Sequence, residues 1–200
     1  MRRSQPDRRQ PRGRAAARAL GDLSHNVYVP LGDAPGAATE LLILDLWNSL
    51  EGLGKFFSDP QVQAGGGMMF ASRDPVVWQL APTSGYILPT PHGRDRRFVG
   101  LIRGKVESRE AATKAFDAFA RRAINAGRLE GQVSHQVFFR LPTPDAPPEL
   151  ELLGVDVWMD EKGMARVYAD RAHLAPLADV FLGPPTMSTW KQPAGSWVEW

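Results

Sequence analysis

Two short segments of the chain each carry an aspartate and a tryptophan two positions apart. The pairs are Asp45 with Trp47 and Asp156 with Trp158. Alternate residues of a β-strand point to the same face, so each pair would place a carboxylate and an indole on one side of a sheet. Such a pair could shape a pocket for a flat small molecule. It could equally be a core tryptophan beside an aspartate that caps nearby backbone.

A histidine follows a serine on the predicted strand that precedes each pair, at His25 and His135. Histidine is the only side chain whose unperturbed pKa lies close to neutral pH, so either residue could act as a general base. Its recurrence also suits a packing or hydrogen-bonding role shared by both segments. The four histidines of the chain show no metal-ligand spacing, and the sequence therefore predicts no metal site.

The segments around these residues resemble each other. G-D-L-S-H-N-V-Y-V-P-L at 21–31 is similar to G-Q-V-S-H-Q-V-F-F-R-L at 131–141, and E-L-L-I-L-D-L-W at 40–47 is similar to E-L-L-G-V-D-V-W at 151–158. A period of about 110 residues is far too long for a solenoid unit and is the size of a small domain. The sequence therefore predicts two diverged copies of one α+β module.

The second copy has the clearer pattern of elements. Strands are predicted at 98–106, 133–141, 150–158 and 187–191. Helices are predicted from the Ser108 cap to near Asn125, after the Asp160 cap, and through Leu174 to Phe181. This β-α-β-β-α-β order is that of a ferredoxin-like, or split-βαβ, unit. One face of such a sheet is bare, and two copies packed face to face would cover both.

The first copy is shorter at its start. Residues 14–20 could be the end of its first helix, but no segment corresponds to the strand at 98–106. Either the gene begins upstream, or the first half tolerates an incomplete sheet. The glycines at 65–67 are expected to break the helix that continues in the second copy.

The predicted organisation has four parts. They are a disordered tail at 1–14, a first repeat at 15–89 that lacks its first strand, a linker at 90–97 and a second repeat at 98–200. The two repeats would together form an intrachain dimeric α/β barrel. The fold class is therefore α+β, and a monomer with internal pseudo-symmetry is expected, with a homodimer as the alternative.

The basic charge of the chain is concentrated in its first 18 residues. Seven of the 24 lysines and arginines are arginines in that segment. Such a tail could bind nucleic acid or an anionic membrane, but it has no interleaved aromatic residues for base stacking. We interpret it as a solvated tail and expect neither partner. The absence of cysteine excludes disulfides and fits a cytoplasmic protein.

The motifs resemble the antibiotic-biosynthesis-monooxygenase superfamily of dimeric α/β-barrel proteins. The second copy carries G-Q-V-S-H at 131–135, D-V-W-M-D at 156–160, and then Tyr168 and His173 five residues apart. The first copy carries G-D-L-S-H at 21–25 and D-L-W-N-S at 45–49, followed by Phe57 and Val62. The resemblance covers nearly the whole chain, and the second copy is the better match.

The resemblance implies a cofactor-independent monooxygenase that acts on an aromatic or polyketide-type small molecule. His135 would deprotonate a phenol, Trp158 and Tyr168 would shape the pocket, and Asp156 would orient a polar group. The weaker set of substrate-binding candidates is His25, Asp45, Trp47 and His173. No cofactor is expected. The alternatives are a non-catalytic small-molecule-binding or structural protein of the same fold and, more weakly, a haem-binding or haem-degrading relative.

Overall fold

A computed structural model describes residues 10–32, 39–82, 85–88, 96–142 and 150–194. Within these ranges the chain is an α+β protein whose strands all pair in antiparallel fashion. Its elements are α1 (Gln10–Ala19), β1 (Asp22–Pro30), β2 (Leu42–Trp47), α2 (Leu50–Phe57), α3 (Pro60–Met69), β3 (Trp78–Leu80), β4 (Tyr86–Ile87), β5 (Phe98–Lys105), α4 (Arg109–Leu129), β6 (Gln132–Arg140), β7 (Glu151–Trp158), α5 (Glu161–Ala169), α6 (Arg171–Ala178) and β8 (Thr186–Lys191). No helix in the described ranges is long and apolar enough to cross a membrane.

The chain packs as two compact units, which are discontinuous in sequence. The first contains α1, β1 as far as Tyr28, β2, α2 and α3. The second contains the described residues of 29–40 and of 75–192. The strands β3 and β4, which the sequence analysis assigns to the first repeat, pair with β6 in the second unit.

The second unit contains the predicted β-α-β-β-α-β order. Its strands lie in the order β8-β5-β7-β6, and β5 is central because it pairs with both β7 and β8. Helix α4 begins at the predicted Ser108 cap, whose hydroxyl accepts a hydrogen bond from the Ala111 N–H. It continues past Asn125 to Leu129, and its apolar face packs Phe116 and Phe119 into the core. Helix α5 begins at the predicted Asp160 cap.

In the first unit, β1 pairs with β2. Among the described residues, no strand pairs with the other edge of β2. Helix α2 begins at Ser49, whose hydroxyl accepts from the Gly52 N–H, and α3 begins at Asp59.

The three glycines of α3 do not break the helix, and the expectation from the sequence was wrong on this point. It runs without interruption through Gly65, Gly66 and Gly67 to Met69. Its start is well supported, because the Asp59 carboxylate accepts a hydrogen bond from the Gln61 N–H. At Gly66 the Arg73 guanidinium occupies the space of a side chain, since a Cβ there would lie 2.4 Å from an Arg73 nitrogen. The glycines lower helix propensity, and the cap and local contacts compensate for that loss.

Helix α1 begins inside the segment predicted to be a disordered tail. It starts at Gln10, so that residues 10–14 are helical, and the alanine-rich run that follows favours the helix. Residues 1–9 lie outside the described ranges. So do residues 90–95 of the predicted linker, which include His92, and the end of the chain from residue 195.

The same local geometry occurs at the start of β1 and of β6. Gly21 and Gly131 both adopt positive φ angles, 102° and 88°, and a β-bulge follows each of them. Their carbonyls accept equivalent hydrogen bonds of 2.9 Å, from the Asn48 N–H and the Met159 N–H respectively. Positive φ is accessible to glycine at little cost, which explains why both segments carry glycine here.

A second pair of equivalent glycines lies in α2 and α5. A Cβ on Gly52 would lie 1.7 Å from the carbonyl oxygen of Leu20, and a Cβ on Gly163 would lie 1.9 Å from that of Glu130. Both contacts are with backbone atoms, which cannot move cheaply. Each helix therefore crosses a backbone turn at a distance that only glycine allows.

Two glycines of α2 provide a matched test of this packing. Gly52→Ala is expected to lower the free energy of unfolding by about 1–3 kcal/mol or more, because of its clash with Leu20. Gly54 has no atom within 4 Å of its missing Cβ, so Gly54→Ala is expected to raise that free energy by up to about 1 kcal/mol. Urea denaturation followed by circular dichroism measures both values. Equal effects of the two variants would contradict the close approach at Gly52.

Candidate functional site

A histidine and an aspartate meet on adjacent strands of the second unit. His135 on β6 is the direct cross-strand partner of Asp156 on β7. Directly opposite residues project to the same sheet face, and here His135 Nδ1 lies 2.6 Å from Asp156 Oδ1. The His135 residue is only 5% exposed. The two strands thus form a buried histidine–carboxylate pair.

The other oxygen of Asp156 accepts a hydrogen bond from Tyr168. The Tyr168 hydroxyl lies 2.8 Å from Asp156 Oδ2, and the Trp158 indole N–H donates to that hydroxyl over 3.4 Å. Trp158 is completely buried. The Tyr168 hydroxyl also explains a glycine on β5, because a Cβ on Gly100 would lie 1.9 Å from it. The four residues predicted to be catalytic are therefore joined in one network.

This network favours a particular protonation pattern. Burial raises the pKa of Tyr168 and the Asp156 carboxylate raises it further, so the phenol stays neutral and donates. Burial lowers the pKa of His135, but the charge and hydrogen bond of Asp156 outweigh it, and the pKa lies above the ordinary value of 6.5. A neutral His135 would donate from Nδ1 to Asp156 and keep a lone pair on Nε2. Nε2 is buried and has no hydrogen-bond partner within the described residues.

A small cavity adjoins the histidine. Its volume is about 30 Å³, and most of its lining is aromatic or aliphatic. The lining residues that carry polar groups are Tyr86, Gln132, His135, Asp156, Trp158, Tyr168 and His173. A space of this size holds one or two water molecules, whereas ligand pockets commonly measure about 300–1,000 Å³. An aromatic small molecule would therefore enter this cavity only if side chains of the lining moved.

Three aromatic rings surround the His135 imidazole. Phe116 lies nearly parallel to it at a centroid distance of 6.2 Å, and Phe119 lies at 6.1 Å. His173 is also at the cavity, with its ring 5.2 Å from that of Phe119. The helical periodicity of α4 predicts that Phe116 and Phe119 are buried, but it does not indicate that they face His135. The third ring belongs to Tyr86.

Tyr86 is a site residue that the sequence analysis missed. Its ring lies 6.4 Å from that of His135, and its hydroxyl donates a 2.7 Å hydrogen bond to Gln132 Oε1. Burial raises its pKa well above the usual range, and the Asp156 charge adds to that effect. Strand β4 contains only two residues, too few for any periodic signal, and it joins the site by pairing with β6.

The first unit contains a second histidine–carboxylate pair of the same kind. His25 Nδ1 lies 2.6 Å from Asp45 Oδ1, and the two residues are direct cross-strand partners on β1 and β2. Trp47 lies beside Phe57, with ring centroids 6.1 Å apart. Phe57 stands where the second unit has Tyr168 and lacks its hydroxyl, and the buried Trp47 Nε1 has no hydrogen-bond partner in the described residues. The first pair therefore lacks the tyrosine link of the second.

The described residues contain no cluster of three or more histidine, cysteine, aspartate or glutamate side chains that could hold a metal ion. The polar groups of the site are thus two imidazoles, one carboxylate, two phenols, one indole and one side-chain amide, beside a wall of hydrocarbon. Chemically, it offers a base at His135 Nε2 next to an apolar space.

Comparison with known proteins shows the fold. No family model matches the chain, and no curated protein sequence matches it. A solved structure described as an anthrone oxidase-like protein matches with a TM-score of 0.63 and 15% identity, over 92% of this chain and 83% of that one. A proposed monooxygenase from Lactobacillus acidophilus matches with a TM-score of 0.57 and 10% identity, over 90% and 86%.

A third solved structure is a proposed monooxygenase from Fusobacterium nucleatum. It matches with a TM-score of 0.54 and 10% identity, over 98% of this chain and 92% of that one. The chain has the fold of these proteins, in agreement with the fold that the resemblance of its sequence motifs implies. Identities this low show the fold and leave the reaction to be argued from the site.

Proposed function

We propose that the protein is a cofactor-independent monooxygenase whose substrate is a hydroxylated aromatic small molecule with an acidic C–H or O–H group. The observation that carries this proposal is the buried His135–Asp156 pair beside an aromatic cavity, in which His135 Nε2 has no hydrogen-bond partner among the described residues. The fold shared with an anthrone oxidase-like protein and two proposed monooxygenases is consistent with it.

The proposed reaction begins with proton transfer to His135 Nε2. Asp156 stabilises the imidazolium that forms, as the carboxylate of a catalytic triad does. The substrate becomes a delocalised anion, and molecular oxygen adds to its carbanionic carbon to give a hydroperoxide. Loss of water from that carbon then leaves a carbonyl group. In balance, a CH₂ group and O₂ give C=O and H₂O, and one oxygen atom enters the product.

We also propose that the chain consists of two diverged copies of one ferredoxin-like repeat, arranged as an intrachain barrel. The supporting observations are the paired glycine turns, the paired helix glycines and the two histidine–carboxylate pairs. The first copy would lack its first strand. The absence of cysteine is consistent with a cytoplasmic location for such a monomer.

A second candidate function is a non-catalytic binding or structural role. The cavity of about 30 Å³ favours it, because the side chains around His135 fill most of the space. Oxygen uptake separates the two candidates. The full chain, treated with EDTA, is incubated with anthrone and other hydroxyaromatic compounds while dissolved oxygen and product are monitored. Turnover above the rate without protein supports the enzyme, and its absence across the series supports the non-catalytic role.

The raised pKa of His135 predicts the pH dependence of this turnover. Only neutral His135 is a base, so kcat/KM is expected to rise with pH through an apparent pKa above 6.5. Asp156→Asn removes the charge that raises this pKa but leaves the burial that lowers it. In this variant, kcat/KM is therefore expected to rise at lower pH than in the unaltered protein and to reach a lower maximum. If kcat/KM rises at the same pH in both proteins, the ionisation that controls it belongs to a group other than His135.

The same shift has an opposite consequence for stability. A histidine whose folded pKa is raised stabilises the protein fully below its unfolded pKa, and this contribution is lost as pH rises through the folded pKa. The free energy of unfolding contributed by His135 should thus decrease over the range in which activity appears. Asp156→Asn should remove this decrease, which urea denaturation at several pH values would measure.

A further inference from the structure

The cavity beside His135 already contains a hydroxylated aromatic ring, which is the side chain of Tyr86. The ring forms part of the cavity wall, and its centroid lies 6.4 Å from that of the imidazole. Tyr86 therefore belongs to the same chemical class as the substrate proposed above. Its position shows where a phenol fits next to the histidine and which group accepts a hydrogen bond from the phenol hydroxyl.

That acceptor is the side-chain amide of Gln132. Gln132 is only 7% exposed, and its Oε1 accepts the 2.7 Å hydrogen bond from Tyr86. Helix α4 packs closely against the same amide at Gly127. A Cβ on Gly127 would lie 2.0 Å from Gln132 Oε1, so only a glycine leaves room for this oxygen. A buried carbonyl oxygen without a donor is unfavourable, so a molecule that displaces Tyr86 must replace its hydroxyl.

Strand β4 is a short part of the cavity wall. It has two residues, which pair with His135 and Ser134, and the next residue, Leu88, donates one backbone hydrogen bond to Val133. Ile87 is 67% exposed. By contrast, the walls formed by β5 and β7 pair with each other along eight residues, and α4 is a helix of 21 residues packed into the core.

We propose that Tyr86 occupies the substrate position, that substrate binds by displacing it, and that Gln132 Oε1 then accepts a hydrogen bond from the substrate hydroxyl. This inference deepens the proposed function and assigns the specificity of the site to Gln132. It also explains how a cavity of about 30 Å³ can serve a larger ligand, because the Tyr86 ring vacates a space of its own size. The site then selects hydroxylated over unsubstituted aromatic rings.

The proposal is tested by removing the Tyr86 ring by mutation and adding a free phenol to the variant. Tyr86→Ala removes the phenol group and keeps Cβ, which leaves a phenol-sized space next to His135, and p-cresol is the small-molecule analogue of the tyrosine side chain. An apolar cavity of about 150 Å³ is enough to bind benzene. We expect p-cresol to bind Tyr86→Ala at least about tenfold more tightly than the unaltered protein, as measured by calorimetry. In NMR spectra the His135 ring signals should shift on binding.

Four comparisons make the test specific. Toluene lacks the hydroxyl, so it should bind Tyr86→Ala at least about fivefold more weakly than p-cresol does, because Gln132 Oε1 stays unpaired. Adding Gln132→Met should abolish this preference. Tyr86→Phe keeps the ring in place and should bind p-cresol as weakly as the unaltered protein. Ile87→Ala on the exposed side of β4 should also leave binding unchanged.

The outcomes separate this inference from the proposed reaction. No preference for p-cresol in Tyr86→Ala, or binding that does not shift the His135 signals, would overturn it. If Tyr86→Ala does not fold, Tyr86→Leu provides the same comparison with a smaller loss of volume. In oxygen-uptake assays, Tyr86→Ala should lower KM and Gln132→Met should raise it. Binding with no turnover by any variant would retain the inference and reject the monooxygenase.

Discussion

Replacing His135 with alanine is expected to reduce turnover of a hydroxyaromatic substrate by at least about a hundredfold, as measured by oxygen uptake. A general base commonly contributes about 10²- to 10⁴-fold to a rate. Among the described residues of the site, only His135 combines a buried nitrogen that has no hydrogen-bond partner there with a carboxylate to stabilise its protonated form. The loss should appear mainly in kcat, since the substrate hydroxyl is bound elsewhere.

His25→Ala is the matched control for this prediction. His25 makes the same 2.6 Å contact with an aspartate, on the equivalent pair of strands. Its unit has Phe57 where the second unit has Tyr168, so the hydrogen-bond network is incomplete. We expect His25→Ala to change turnover little. Small and equal effects of the two variants would mean that both histidines are structural, and the enzyme proposal would lose its main support.

Replacing Trp158 with alanine is expected to lower the free energy of unfolding by about 3–5 kcal/mol, the usual cost for a core aromatic residue. Trp158 is completely buried against Phe98 and Met164. Its removal would leave a cavity and would also remove the donor to the Tyr168 hydroxyl. Urea denaturation followed by circular dichroism measures the change without relying on tryptophan fluorescence.

Trp47→Ala provides the comparison from the first unit. Trp47 is partly exposed, and its indole N–H has no hydrogen-bond partner among the described residues. Trp47→Ala should lower the free energy of unfolding by at most about half as much as Trp158→Ala does, because Trp47 buries less apolar surface and its removal breaks no hydrogen bond among the described residues. A loss below about 1 kcal/mol for Trp158→Ala would contradict the packing around it. Equal losses would mean that the two tryptophans are equivalent in packing.

Local sequence patterns were sufficient to predict most of the helices and strands of the second unit. The 3–4 spacing of apolar residues predicts α4, and Ser108 and Asp160 predict where two helices begin, because caps depend on a few neighbouring residues. The strand period places Asp156 and Trp158 on one face. The glycines at 21 and 131 reflect a backbone conformation that is also local.

The pairing of His135 with Asp156 was decided by tertiary structure. A β-bulge between Gln132 and Ser134 shifts the register of β6 by one residue, and only beyond this bulge does His135 lie opposite Asp156. A shift of one residue would turn the imidazole toward a different neighbour. Both residues are candidates from the sequence, but no local pattern determines a register between strands.

The remaining features of the site depend on contacts between residues far apart in the chain. Tyr86 reaches His135 only because a two-residue strand pairs with β6, and such a short element has no sequence period. The cavity volume of about 30 Å³ results from how helices and sheet pack together. Residue types and spacing therefore determined which groups are available for chemistry. Strand register and packing decided which of them meet, since both arise from non-local contacts that a single sequence does not encode in any local signal.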